Sequence, residues 1–142
     1  MSKLFIENDS ELDFSRVKYY LKDLFNYDGE PKDFFDETIC DATFNQMECW
    51  EAVKNADEIF AETSLIDNMG IDGGMLFNNM MYQCIEENIS NKKLYFFTSK
   101  KDVWWSNLRE HLLREVFKNN ELYTIENNKF EKADIEEIIN LY

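Results

Sequence analysis

One proline, one histidine and four glycines among 142 residues exclude several common kinds of protein at the outset. Pro31 is the only proline, and no low-complexity tract, internal repeat or long linker is present. The chain is therefore read as a single domain over residues 1–142, with room for a real core. Cys40, Cys49 and Cys84 are odd in number and form no C-x-x-C pair, which argues against a disulfide framework or a zinc site and fits a reducing cytoplasm. The single histidine, His111, sits among Leu108, Leu112 and Leu113, so neither a Cys-His nor a Ser-His-Asp nucleophilic system has support. No metal and no cofactor is expected. The opening "MSKLFIENDS" lacks an apolar leader core and no run approaches membrane-spanning length, so a cytoplasmic protein without membrane contact is the expectation.

Positive charge is scarce as well. Fifteen Lys and Arg face 29 Asp and Glu, a net charge of −14. Residues 1–62 hold 16 acids against 6 bases, and residues 63–142 hold 13 against 9. Such a surface repels phosphate backbones, which disfavours direct nucleic-acid binding and suits a basic protein partner.

Apolar residues are plentiful, at 44%, with 12 Phe, 7 Tyr and 3 Trp to fill an interior. Periodicity predicts strands at 3–7, 58–65, 93–99 and 121–126, with a weaker one at 34–39. It predicts helices at 10–25, 43–56, 74–89, 102–119 and 132–142, with Asp102 as an N-cap. Alternation of strand and helix implies an α/β fold whose mostly parallel sheet of about five strands carries helices on both faces. In such sheets ligands bind at the carboxyl ends of strands.

Three of the four glycines, Gly70, Gly73 and Gly74, cluster where the strand at 58–65 gives way to the helix at 74–89. Glycines at a strand-to-helix turn allow a ligand to approach the backbone, which makes this corner the leading site candidate. It is no dinucleotide fingerprint, since Asn79 stands where a further glycine would be needed, and no P-loop, since no G-K-[ST] follows.

Another pattern fits better. Asp72, Gly74 and Asn78 fall on the three positions of D-x-G-x-x-x-E, and upstream Ala42, Thr43, Phe44 and Asn45, then Ala56 and Asp57, fit the A-T-[FY]-N helix opening and the strand entry that accompany it. Over about residues 41–98 the chain resembles the nucleoside 2-deoxyribosyltransferases. The resemblance implies a flavodoxin-like three-layer sandwich that handles a nucleoside or nucleotide. It implies that the Glu of the pattern attacks the anomeric carbon while the Asp holds the base and manages its proton. Here the nucleophile position holds Asn78, a neutral amide that can hydrogen-bond a sugar but makes no ester readily. Further departures are the acidic "IENDSELD" after the first strand and Met80 where a glycine is usual. The pattern is thus a scaffold with a damaged catalyst.

Asp72 and Asn78 are accordingly the candidate catalytic positions. Glu62, Gly73, Gly74, Glu48 and Tyr142 are the candidate ligand contacts, with Glu62 and Asp72 able to divide acid and base roles. Asp72 also reads as an ordinary helix cap, and Glu62 as a solvated loop residue. Two functional readings stand side by side: a nucleoside-handling protein with weak or no N-glycosidic chemistry, and an acidic, inactive interaction protein that blocks a basic nucleic-acid-binding partner, as a phage-type inhibitor or an immunity protein does. Adjacent Trp104 and Trp105 leave homo-oligomer formation open.

Overall fold

Five parallel strands and one antiparallel strand form a single sheet in the order β2-β1-β3-β4-β5-β6, in a computed structural model that describes residues 2–7, 14–42, 45–62, 71–102 and 108–141, without the side chains of Arg16 and residues 71–76. The strands are β1 (Lys3–Ile6), β2 (Glu37–Ile39), β3 (Glu58–Ala61), β4 (Lys93–Phe96), β5 (Glu121–Glu126) and β6 (Lys129–Lys132). The helices are α1 (Ser15–Phe25), α2 (Pro31–Phe34), α3 (Gln46–Asn55), α4 (Ile71–Glu86), α5 (Glu110–Val116) and α6 (Ile135–Ile139). This is an α/β, flavodoxin-like three-layer sandwich: β1 pairs with β2 on one side and β3 on the other, so the strand order reverses there.

The pleat sorts side chains onto two faces of different chemistry. Leu4, Ile6, Ile59, Ala61, Leu94, Phe96 and Leu122 face an aliphatic layer supplied by α3, α4, α5 and α6, through residues such as Val53, Met81, Leu113 and Ile138. The alternate positions Phe5, Phe60, Tyr95, Phe97 and Tyr123 face α1 and α2, where Val17, Leu21, Phe34 and Phe35 close over them. On this second face Phe60 stacks on Tyr95 at 4.7 Å and Tyr95 on Tyr123 at 4.8 Å, a ladder of rings across three strands. Phe60 is fully buried, which stabilises by roughly 1.5–3 kcal/mol relative to exposure.

Turns follow from local chemistry. Helix α1 ends at Asn26, left-handed at φ 53°, whose N–H donates to the Lys22 carbonyl at 3.0 Å. Between β5 and β6 the two loop residues, Asn127 and Asn128, both have positive φ (53° and 63°), the backbone that a two-residue hairpin turn requires. That hairpin corrects the sequence reading: the helix expected over 132–142 is instead the end of β6, a short connection and α6. Helical spacing in "IEEII" is real, but the preceding strand pairs with β5 and claims Lys132. Among the described residues the mostly parallel sheet thus has six strands, the sixth added by this hairpin.

Other boundaries move as well. The weak strand expected at 34–39 starts at Glu37, because Pro31 opens a one-turn helix ahead of it. Helix α4 begins at Ile71, three residues before the expected start. Asp102, the expected N-cap, donates from its amide to the Ser99 carbonyl and accepts the Ser99 hydroxyl at Oδ2 at 2.7 Å; residues 103–107, which follow it, lie outside the described residues, and α5 runs from Glu110. Among the described residues no helix is long and apolar enough to cross a membrane.

Candidate functional site at the strand-order reversal

The carboxyl ends of β1 and β3 flank the strand-order reversal, the position at which this fold class holds ligands. The residue after β1 is Glu7 and the residue after β3 is Glu62. The Glu62 amide donates to the Ile6 carbonyl at 3.0 Å, continuing the ladder by one step, so Glu7 and Glu62 stand side by side. Neighbouring strands run about 4.8 Å apart, which sets the scale of the separation between the two backbones.

Both acids are buried, Glu7 at 1% exposure and Glu62 at 7%. Glu7 is held from the β2 side: its amide donates to the Ile39 carbonyl at 2.9 Å, and its carbonyl accepts from the Ala42 amide at 3.2 Å. Its Oε2 is fully enclosed. The pleat that turns Phe5 and Phe60 to the aromatic face carries Glu7 and Glu62 to the same face. Phe97, the next residue in register on β4, is buried there and lies 6.4 Å from Phe5 and 5.7 Å from Tyr20, ring to ring. Two carboxylates at the lip of an aromatic layer form a pair in a poorly hydrated setting, where acid and base roles can separate.

The residues singled out from sequence distribute unevenly around the strand-order reversal. Glu62 is beside it, directly after β3. Glu48 is exposed in the first turn of α3, beside Cys49, whose thiol is pushed up to about 12 by burial and then by Glu48 and Glu37. Asp72, Gly73 and Gly74 lie within the first turn of α4 instead of forming a bend ahead of it, because helical backbone already starts at Ile71. Gly70 and the connection 63–70, Thr43 and Phe44, Trp104 and Trp105, and Tyr142 lie outside the described residues.

Asn78, in the nucleophile position of the resembled pattern, has a job visible in the fold. Its Oδ1 accepts the Arg109 amide at 3.0 Å, which fixes the entry to α5. That places it between α4 and α5, on the aliphatic side of the sheet, while Glu7 and Glu62 follow the pleat to the other side. Asn45, at the end of the resembled A-T-F-N stretch, donates from Nδ2 to the carbonyls of Cys40 (3.2 Å) and Asp41 (3.1 Å), bracing the loop after β2.

No family model, curated protein or solved structure matches the chain. The resemblance to the deoxyribosyltransferases therefore stands on its own residues.

Glu7 is the residue that sequence reasoning missed. In the sequence it reads as the last residue of the first strand and as part of the acidic "IENDSELD" stretch, with no role of its own. The signal that would have found it is positional: it is the residue directly after the first strand, and a strand-order reversal beside β1 is frequent in doubly wound sheets.

Proposed function

We propose that the chain binds a nucleoside or nucleotide at the carboxyl ends of β1 and β3, with Glu7 and Glu62 facing the sugar. The observation that carries this reading is the pair of buried carboxylates at the strand-order reversal. The resemblance over residues 41–98 supports the choice of ligand. The adjacency of Glu7 and Glu62 supports the chemistry, because a retaining route at an anomeric carbon uses two neighbouring carboxyl groups, one attacking and the other serving as acid and then base. On this reading the pair supplies the acid that the Asn78 position lacks, and N-glycosidic turnover is slow or absent.

The test is a thermal-shift panel of nucleosides and nucleotides on the wild-type chain and on Glu7→Gln and Glu62→Gln. A ligand at one hundred times its Kd adds about 2.7 kcal/mol, and each Gln variant is expected to lose most of that shift while folding as before. Chromatography of a deoxynucleoside incubated with a second free base reads turnover. A flat panel with every ligand overturns the proposal.

A second reading is favoured by the charge distribution. Asp23, Asp28, Glu30, Asp33, Asp36 and Glu37 are all exposed along α1, α2 and their flanks; Lys18 and Lys22 pair with Glu30 and Asp28, and the remaining acids suit a basic protein partner. Capture of such a partner should weaken steeply between low and high salt, because the screening length falls to about 8 Å at physiological ionic strength.

A further inference from the structure

At the opposite end of the sheet, lysines gather in one place. At the amino ends of β4 and β5 lies an open groove of about 580 Å³. It is lined by Lys92 and Lys93 at the start of β4, Lys118 after α5 and Lys132 at the end of β6. Asn91 joins them, and Glu121 is the one acid of the lining. Four of the chain's 15 bases thus meet in one groove of a protein whose net charge is −14.

Two of these lysines have structural partners. The Lys92 ammonium donates to the Lys54 carbonyl at 2.8 Å and to that of Ala56, closing the end of α3. Lys118 pairs with Glu115 at 2.7 Å. Lys93 and Lys132 have neither an ion pair nor a side-chain hydrogen bond among the described residues. Two carboxylates share the strand register with Lys93, Glu58 on β3 and Glu121 on β5; they accept the Tyr95 and Tyr123 hydroxyls at 3.1 and 2.5 Å, and among the described residues neither makes an ion pair with Lys93 or Lys132. Lys93 and Lys132 both belong to strands, and Lys132 lies opposite Tyr123, two register steps from the Lys93–Glu121 rung. Neither sits at a helix end whose dipole would account for it.

We propose that this groove is a binding site for a small, multiply charged phosphate compound, held by Lys93 and Lys132 with Lys92 and Lys118 at its margin. The groove volume falls within the range of small-molecule sites. The choice of a small anion over a nucleic-acid strand follows from screening. At about 8 Å screening length a compact anion responds to the four lysines around it, whereas a strand several times longer also runs along the acidic remainder of the surface. The site is at the far end of the strands from Glu7 and Glu62, so the two proposals stand or fall separately.

The experiment is calorimetric titration of the full chain with inorganic tripolyphosphate at low and physiological salt. It compares the wild type, the double variant Lys93→Gln/Lys132→Gln, and a charge-matched control, Lys32→Gln/Lys101→Gln, whose lysines are exposed elsewhere. Saturable binding by the wild type and the control, weakened at least tenfold in the groove variant with unchanged melting temperature, supports the proposal. It is overturned by absence of saturable binding, by equal losses in both variants, or by tighter binding of a 20-residue single-stranded oligonucleotide than of tripolyphosphate. Nucleoside shifts at the Glu7–Glu62 pair should be the same in all three proteins.

Discussion

The two faces of the sheet are buried to similar depth by different means. The aliphatic face is covered by four helices and is built from Ile, Leu, Val, Ala and Met with few rings. The aromatic face has one helix of 11 residues and one of 4 to cover it, and there the sheet and its cover meet through Phe and Tyr. The lesson is one of supply. A face with few covering helices must fill its volume with large side chains, since each buried aromatic removes about 150–250 Å² from water. The ring ladder Phe60–Tyr95–Tyr123 and the clasp of Phe25, Phe34, Phe35 and Phe130 around it do the work of the missing helices.

The sharpest way to break the contrast is to remove one ring. Phe60→Ala should cost about 3–5 kcal/mol, because Phe60 touches Phe25, Phe34, Phe35, Tyr95 and Phe97. Its neighbour on the aliphatic face, Ile59→Val, should cost only about 0.5–1.5 kcal/mol. Urea denaturation of both variants reads the difference; equal losses would show that the ring ladder adds nothing.

Next in size is Asn120, buried where the ends of α4, α5 and β4 converge. It donates to the Ile89 and Val116 carbonyls at 3.0 and 2.9 Å and accepts the Lys92 amide at 2.9 Å. Asn120→Ala strands these groups and is expected to destabilise by about 1–3 kcal/mol, with faster amide exchange at Lys92 as the local readout.

Asn78→Ala should cost about 1 kcal/mol through the lost bond to the Arg109 amide. Asn78→Glu, the exchange that restores the pattern's carboxylate, should leave base exchange no faster than in the wild type if the aromatic side of the sheet carries the site. A gain in exchange would move the site to the α4 side.

The smallest effects come from titration. Hydrogen bonding to Glu121 and then burial push Tyr123 up to about 12, and burial and Glu58 raise Tyr95. Raised values mean that their contribution is complete below the ordinary tyrosine value of about 10 and fades as pH climbs through about 12. Tyrosinate absorbance should therefore show these two tyrosines ionising late, and Tyr123→Phe should flatten the alkaline decline in stability. On the aliphatic face Cys49 is fully buried and Cys84 is raised to about 11 by burial, so at pH 8 an alkylating reagent should label Cys40 first and Cys49 last.

These contrasts also mark what the sequence could disclose. Strand β5 was readable residue for residue, and β4 in its apolar centre, because "LYFF" and "ELYTIE" satisfy strand propensity and burial at once. The order α/β followed from alternation alone. Strand β6 was not readable: "KFEK" is short and mostly charged, and it becomes a strand only because Asn127 and Asn128 both accept the left-handed backbone and β5 waits opposite. The eighteen-residue helix expected from Asp102 reflected a true apolar period, yet its described helical part is the seven residues of α5. Within the site, Glu62 could be named from its place near the end of a strand. Its pairing with Glu7 depends on which strands are neighbours, a fact of tertiary structure that no local pattern encodes.

The sheet's two outer edges complete the account. On one side β2 offers three residues, and on the other the hairpin strand β6 carries Lys129 and Lys132 at its ends. Neither border presents a long neutral run of main chain onto which another sheet could zip. In a crowded solution, copies of this protein that touch along these borders should part again, and any lasting assembly would have to be made by side chains on the helical flanks.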